Sequence, residues 1–139
     1  MISTDNLAFL TTFSEYSLRH FKRNFEKDYP KKVWRETEKS ILYEISEISK
    51  NNLGFTQKVD ELWQKDNFWI FKYDFRIVGM KKSTRSAGNR CIVFLDNLKK
   101  QAEILLIYRK TDLPKNKSEQ AYIEAVVRNE FPSYYSATR

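Results

Sequence analysis

Residues 68–110 read FWIFKYDFRIVGMKKSTRSAGNRCIVFLDNLKKQAEILLIYRK, and the fold turns on how that run is divided. In its first eleven residues Phe71, Tyr73, Phe75 and Ile77 alternate with Lys72, Asp74 and Arg76. Period-two alternation of this kind makes a strand with one buried and one charged face. Arg90–Asp96 and Glu103–Lys110 are apolar without alternation, as expected of inner strands covered on both sides. The polar NLKKQA between them suits a hairpin loop.

Outward from these three strands the pattern changes to helical. Leu18, Phe21 and Phe25 recur at helical spacing between Ser14 and Tyr29, and Pro30 marks the end of that segment. Trp34, Ile41, Ile45 and Ile48 lie on one stripe of a second helix, Lys31–Lys50. Ahead of both, LAFLTTF (residues 7–13) is short, apolar and rich in Thr, and reads as an opening strand. After the last strand, Asn116 and Ser118 are candidate caps for a terminal helix bearing Ile123, Val126 and Val127, and residues 132–139 read as a flexible tail. The expected fold is therefore α+β: a small, largely antiparallel sheet of about four strands, in the order β-α-α-β-β-β-α, packed on two N-terminal helices. A length of 139 residues with no repeat or linker makes this a single domain.

Composition restricts the function classes. The single cysteine, Cys91, lies inside an apolar run, which excludes a disulfide framework and a cysteine-based metal site and fits a reducing cytoplasm. No stretch has the length of a membrane span, and MISTDNLAFLTTF lacks the basic start of a signal peptide. A formal charge of +7 points to an anionic partner, nucleic acid before membrane. Residues 1–60 hold ten Lys/Arg against nine Asp/Glu, leaving +6 of the excess in residues 61–139. The cationic surface is thus expected in the C-terminal half.

Antiparallel pairing locates that charge. If Phe68–Val78 pairs with Arg90–Leu95 across the loop Gly79–Asn89, Arg76 and Arg90 meet at the loop end of the sheet. A next hairpin turning near Leu98 and Lys99 brings Tyr108 and Arg109 there too, with Tyr122 of the last helix in reach. A cluster of cations of this kind is suited to a phosphate. Lys81, Lys82 and Arg85 in the loop would touch RNA backbone without chemistry.

At these residues the chain resembles the RelE/ParE superfamily of bacterial toxins, and most of all the RelE and HigB type. The likeness rests on KYDFR, a basic loop ending in GNR before an apolar strand, ILLIYRK and SEQAYIEAV, with FKRNFEKDYPKKVW at the helix junction. It extends in pattern and order over roughly residues 7–130. What the resemblance implies is the toxin of a type II toxin-antitoxin system, a ribosome-dependent mRNA endonuclease held inactive in a hetero-oligomer with a cognate antitoxin. Its chemistry would be metal-independent attack of a ribose 2′-OH on the adjacent phosphorus, with no cofactor. Carried over by position, Arg90 would contact the scissile phosphate, Arg109 or Lys110 would be the cation ending the last strand, and Tyr122 the helix tyrosine. Lys72 would be the second-strand lysine, with Arg76 as the alternative.

Because the only imidazole, His20, falls on the first helix away from this cluster, proton transfer is expected of Lys72 or Lys110, depressed by cationic neighbours. Two other classes compete: a ParE-like toxin that inhibits gyrase by binding, and a basic RNA- or DNA-binding module without catalysis.

Overall fold

The computed structural model describes residues 9–50, 59–80 and 88–139. In chain order the elements are β1 (Leu10–Phe13), α1 (Glu15–Arg19), α2 (Lys22–Asp28), α3 (Lys31–Lys50), β2 (Val59–Lys65), β3 (Phe68–Phe75), β4 (Asn89–Asp96) and β5 (Gln101–Arg109). A short 3-10 turn (Lys110–Asp112) leads to α4 (Glu119–Glu130) and α5 (Pro132–Ala137). The class is α+β, as expected. Among the described residues the sheet has five strands rather than about four, in the order β1-β5-β4-β3-β2, with β1 parallel to β5 and the other pairs antiparallel.

The additional strand, β2, is an edge whose residues are exposed or half-buried, and its pairing with β3 is broken by a bulge between Glu61 and Trp63. A strand of that kind shows no alternation, so its sequence carries no strand signal. The register between β3 and β4 runs from Phe68 opposite Asp96 to Phe75 opposite Asn89. That is the hairpin the alternation implied.

The expected helix Ser14–Tyr29 is two helices. Ser14 caps α1 by accepting from the Ser17 N–H, and Phe21 then adopts a left-handed conformation (φ 67°) before α2 begins. In one continuous helix Phe21 and Phe25, four residues apart, would share a face. The break sends them to opposite sides of the sheet. Phe25 stacks on Trp34 with ring centroids 5.1 Å apart, while Phe21 packs towards Tyr122. The helix Lys31–Lys50 is as expected, with Trp34, Thr37, Ile41 and Ile45 buried at helical spacing. Thr37 Oγ1 also accepts from the Val78 N–H at 3.0 Å, tying α3 to the chain beyond β3.

Two cores result, one on each face of the sheet. Phe71, Tyr73, Phe75, Cys91, Val93 and Leu95 pack with Phe25 and α3 on one face. Ile70, Ile92, Phe94, Leu106 and Tyr108 pack with Ile123 and Val127 of α4 on the other. Burial on both faces explains why β4 and β5 are apolar throughout.

The C-terminal residues are packed, contrary to the expected tail. Pro132 starts α5, Tyr134 stacks on Phe94 at 3.9 Å and donates to Glu103 Oε1 at 2.5 Å, and Thr138 is buried. Aromatic stacking anchors a six-residue helix too short to persist alone. Among the described residues no helix is long and apolar enough to cross a membrane.

Candidate functional site

Strand parity places Lys72 and Asp74 on the α4 face of the sheet, and the register sets Asp74 opposite Arg90 and Arg90 opposite Tyr108. Four polar side chains from three adjacent strands therefore share one patch at the end of the sheet. A fifth comes from the helix. Ser118 caps α4 by accepting from the Ala121 N–H at 3.1 Å, which sets Glu119 at the first helical position, over the patch.

Three donors converge on the Glu119 carboxylate. Arg90 Nη1 lies 2.6 Å from Oε1 and 2.5 Å from Oε2, the Tyr108 hydroxyl donates to Oε2 at 2.8 Å, and Lys72 Nζ is 3.5 Å from Oε1. Arg90 Nε also donates to Asp74 Oδ1 at 3.2 Å, and Lys72 pairs with Asp60 at 3.6 Å. The side chains of Arg90, Asp74, Lys72 and Glu119 are between 10% and 18% exposed, so solvent screens these pairs only partly. Three donors of the sheet thus hold one carboxylate of α4.

Electrostatics distinguish the two acids. Burial pushes Glu119 upward, but hydrogen bonds from Arg90 and Tyr108, with the charges of Lys72 and Arg90, hold its carboxyl below the ordinary value. Burial dominates at Asp74, which stays above its ordinary value despite the charges of Arg90 and Lys72. The Cys91 thiol, wholly buried, is pushed well up and is no nucleophile.

The expected cation cluster is only partly assembled. Lys72 and Arg90 meet, but at a carboxylate. Arg109 points to the opposite face, where it pairs with Asp28 at 2.7 Å and lies 4.9 Å from the centroid of the Phe25 ring. Lys110 is exposed beyond the strand, its N–H bonded to the carbonyl of Gly88. Neither Arg109 nor Lys110 joins Arg90. Tyr108, the residue before them on β5, does.

Arg76 lies past the end of β3, exposed, beside Ser40 and Glu44 on the α3 side. The Tyr122 ring packs towards Phe21. His20 stacks on Tyr16, apart from the site as expected. Lys81, Lys82 and Arg85 lie outside the described residues. The charged contacts of Lys72 are carboxylates, so the expectation of a lysine base crowded by cations does not hold for it.

Tyr108 lies beside Arg90 as strand pairing implied, whereas Asp74 and Glu119 were not among the expected site residues. Asp74 was legible, since it shares a charged strand face with Lys72. Glu119 carried no signal, because only the fold brings residue 119 to residue 90. Replacing Ser118 by Ala removes the cap that fixes Glu119 and is expected to cost about 1 kcal/mol in a denaturant melt. A loss under roughly 0.3 kcal/mol would show that the cap does not anchor the helix.

Comparison of the chain with protein-family models, with characterised proteins and with solved structures gives no match.

Proposed function

We propose that the protein is the toxin of a toxin-antitoxin pair, a ribosome-dependent mRNA endonuclease that cleaves by attack of the ribose 2′-OH. The observation that carries this reading is the convergence of Arg90, Lys72 and the Tyr108 hydroxyl on one anion. Donors aimed at a single oxyanion, at a largely buried sheet end, are what a pentacoordinate phosphorane requires. The motif resemblance supports the same class, and supplies the ribosome, mRNA and a cognate antitoxin as partners.

In this reading an RNA phosphate takes the place of the Glu119 carboxylate on Arg90 and Lys72. The displaced Glu119 accepts the 2′-OH proton, the 2′-oxygen bonds to phosphorus, and the P–O5′ bond breaks. The Lys72 ammonium protonates the leaving 5′-oxygen. The products are a 2′,3′-cyclic phosphate and a 5′-OH, and two side-chain cations carry the charge.

The pH profile tests the base. Once displaced, Glu119 loses the contacts with Arg90 and Lys72 that help hold its carboxyl below the ordinary value, but a carboxyl at the ordinary value of about 4.3 is still ionised near neutrality, so the single-turnover rate on ribosome-bound mRNA is expected to be level from about pH 6 to 8. A rise of about tenfold per pH unit through that range would assign the base to an amine instead.

One observation favours a second reading. Arg90 and Lys72 are each paired with two carboxylates, as in a structural ion-pair network of a non-catalytic nucleic-acid-binding module. Absence of cleavage on translating ribosomes, with binding intact, would select it.

A further inference from the structure

On the far side of the sheet from Arg90, α2 and α3 enclose a groove of about 760 Å³. Its cations are Arg23 and Lys27 on α2 and Lys31, Arg35 and Lys39 on α3. All five are exposed, and none has a carboxylate partner among the described residues. The two carboxylates lining the groove, Glu26 and Glu38, are both taken by Lys22 Nζ, at 3.1 and 3.4 Å. Lys22 is itself nearly buried and lies 5.1 Å from the centroid of the Phe13 ring. Lys22 thus engages both acids of the groove from beneath, and the five cations, which outnumber those acids, are left without an ion-pair partner among the described residues.

The spacing is costly for the helices. Lys31, Arg35 and Lys39 recur every four residues, as do Arg23 and Lys27, and like charges four apart destabilise a helix by about 0.2–0.5 kcal/mol per pair. No contact inside the described protein offsets that cost. Trp34 lines the groove and is 5% exposed, and its indole N–H is buried without an acceptor. A row of unpaired cations favours an external anion.

We propose that this groove binds a nucleic-acid phosphate backbone. Four residues of helix advance about 6 Å, so the α3 cations form an even row about 12 Å long that can meet successive phosphates of one strand. An acidic amphipathic helix is the competing occupant, but it needs apolar anchor pockets along the groove. Only Trp34 and Leu42 are apolar there, and Trp34 is already buried. The site is independent of the nuclease reading: it uses none of the residues around Arg90 and involves no cleavage.

The test is binding of a fluorescent, fully 2′-O-methylated RNA hairpin, which 2′-OH attack cannot cleave, alongside a DNA hairpin of the same sequence. The full-length protein is compared with the triple variant Lys31→Gln/Arg35→Gln/Lys39→Gln and with a charge-matched control, Lys65→Gln/Lys99→Gln/Arg128→Gln. The groove variant is expected to lose roughly 10²-fold in affinity at low salt, and its log–log salt slope should fall by about two to three. The control should lose under about threefold. The groove variant should melt no lower than wild type, because relieving like-charge pairs removes a cost. If both hairpins respond alike, the shared phosphate chemistry is the ligand, and a response confined to RNA makes RNA the source. Equal losses in the two triple variants, no loss in the groove variant, or displacement of the hairpin by poly-L-glutamate at equal charge concentration would overturn the proposal.

Discussion

Replacing Arg90 by Ala is expected to lower the single-turnover cleavage rate by about 10²–10³ and to cost roughly 3–5 kcal/mol of stability. The rate falls because the guanidinium is the donor with the shortest contacts to the anion site. Stability falls because Asp74 and Glu119, each largely buried, lose their shared partner. Arg90→Lys separates the effects. It retains the charge and most of the stability, yet a single ammonium cannot span Asp74 and Glu119 as the planar fork does, so its rate should still fall by tenfold or more. Denaturant melts beside single-turnover cleavage measure both. Full activity in folded Arg90→Lys and Arg90→Ala variants would remove Arg90 from the chemistry.

A second large effect is expected at Glu119. Glu119→Gln should reduce cleavage by about 10²–10⁴, the usual contribution of a positioned base. The same variant should bind uncleavable 2′-deoxy mRNA on ribosomes more tightly than wild type, because a neutral amide competes less well with phosphate for Arg90 and Lys72. Loss of rate with gain of affinity is the signature of a group that is both base and occupant. The change also has a sign in pH. As the Glu119 carboxyl sits below its unfolded value, its contribution to stability is present above about pH 4.3 and is lost as pH falls through the folded value. Glu119→Gln should therefore flatten that part of the acid limb. An unchanged limb, or unchanged cleavage, would make Glu119 a bystander.

The sheet was readable where a single physical signal dominated. Alternation in residues 71–77 and unbroken apolarity in β4 and β5 gave three strands and one register. Trp34, Ile41 and Ile45 gave α3 its bounds. The edge strand β2 was not readable, because a bulged edge need bury no face. Nor was the break at Phe21, which rests on tertiary preference for sending Phe21 and Phe25 to different cores. At the site, Arg90 was found by strand pairing and Lys72 only through the family resemblance, whereas the placing of Arg109 depended on parity at the end of β5. The pairing of β5 with β4 slips between Ile92 and Val93, and a slip of one residue reverses every face beyond it. Counting charge by halves of the chain also misled. The unpaired cations of the groove lie in the nearly neutral first half, because fold and not composition decides which carboxylates they can reach.

The most direct test of the central claim is the chemistry of the RNA ends made when purified protein is added to ribosomes stalled on a defined mRNA. A 5′-OH fragment and a matching 2′,3′-cyclic phosphate, produced by wild type and lost in the folded Arg90→Lys and Glu119→Gln variants, are the expected result. Intact mRNA with wild-type protein bound to the ribosome, or ends bearing 5′-phosphate, would contradict it.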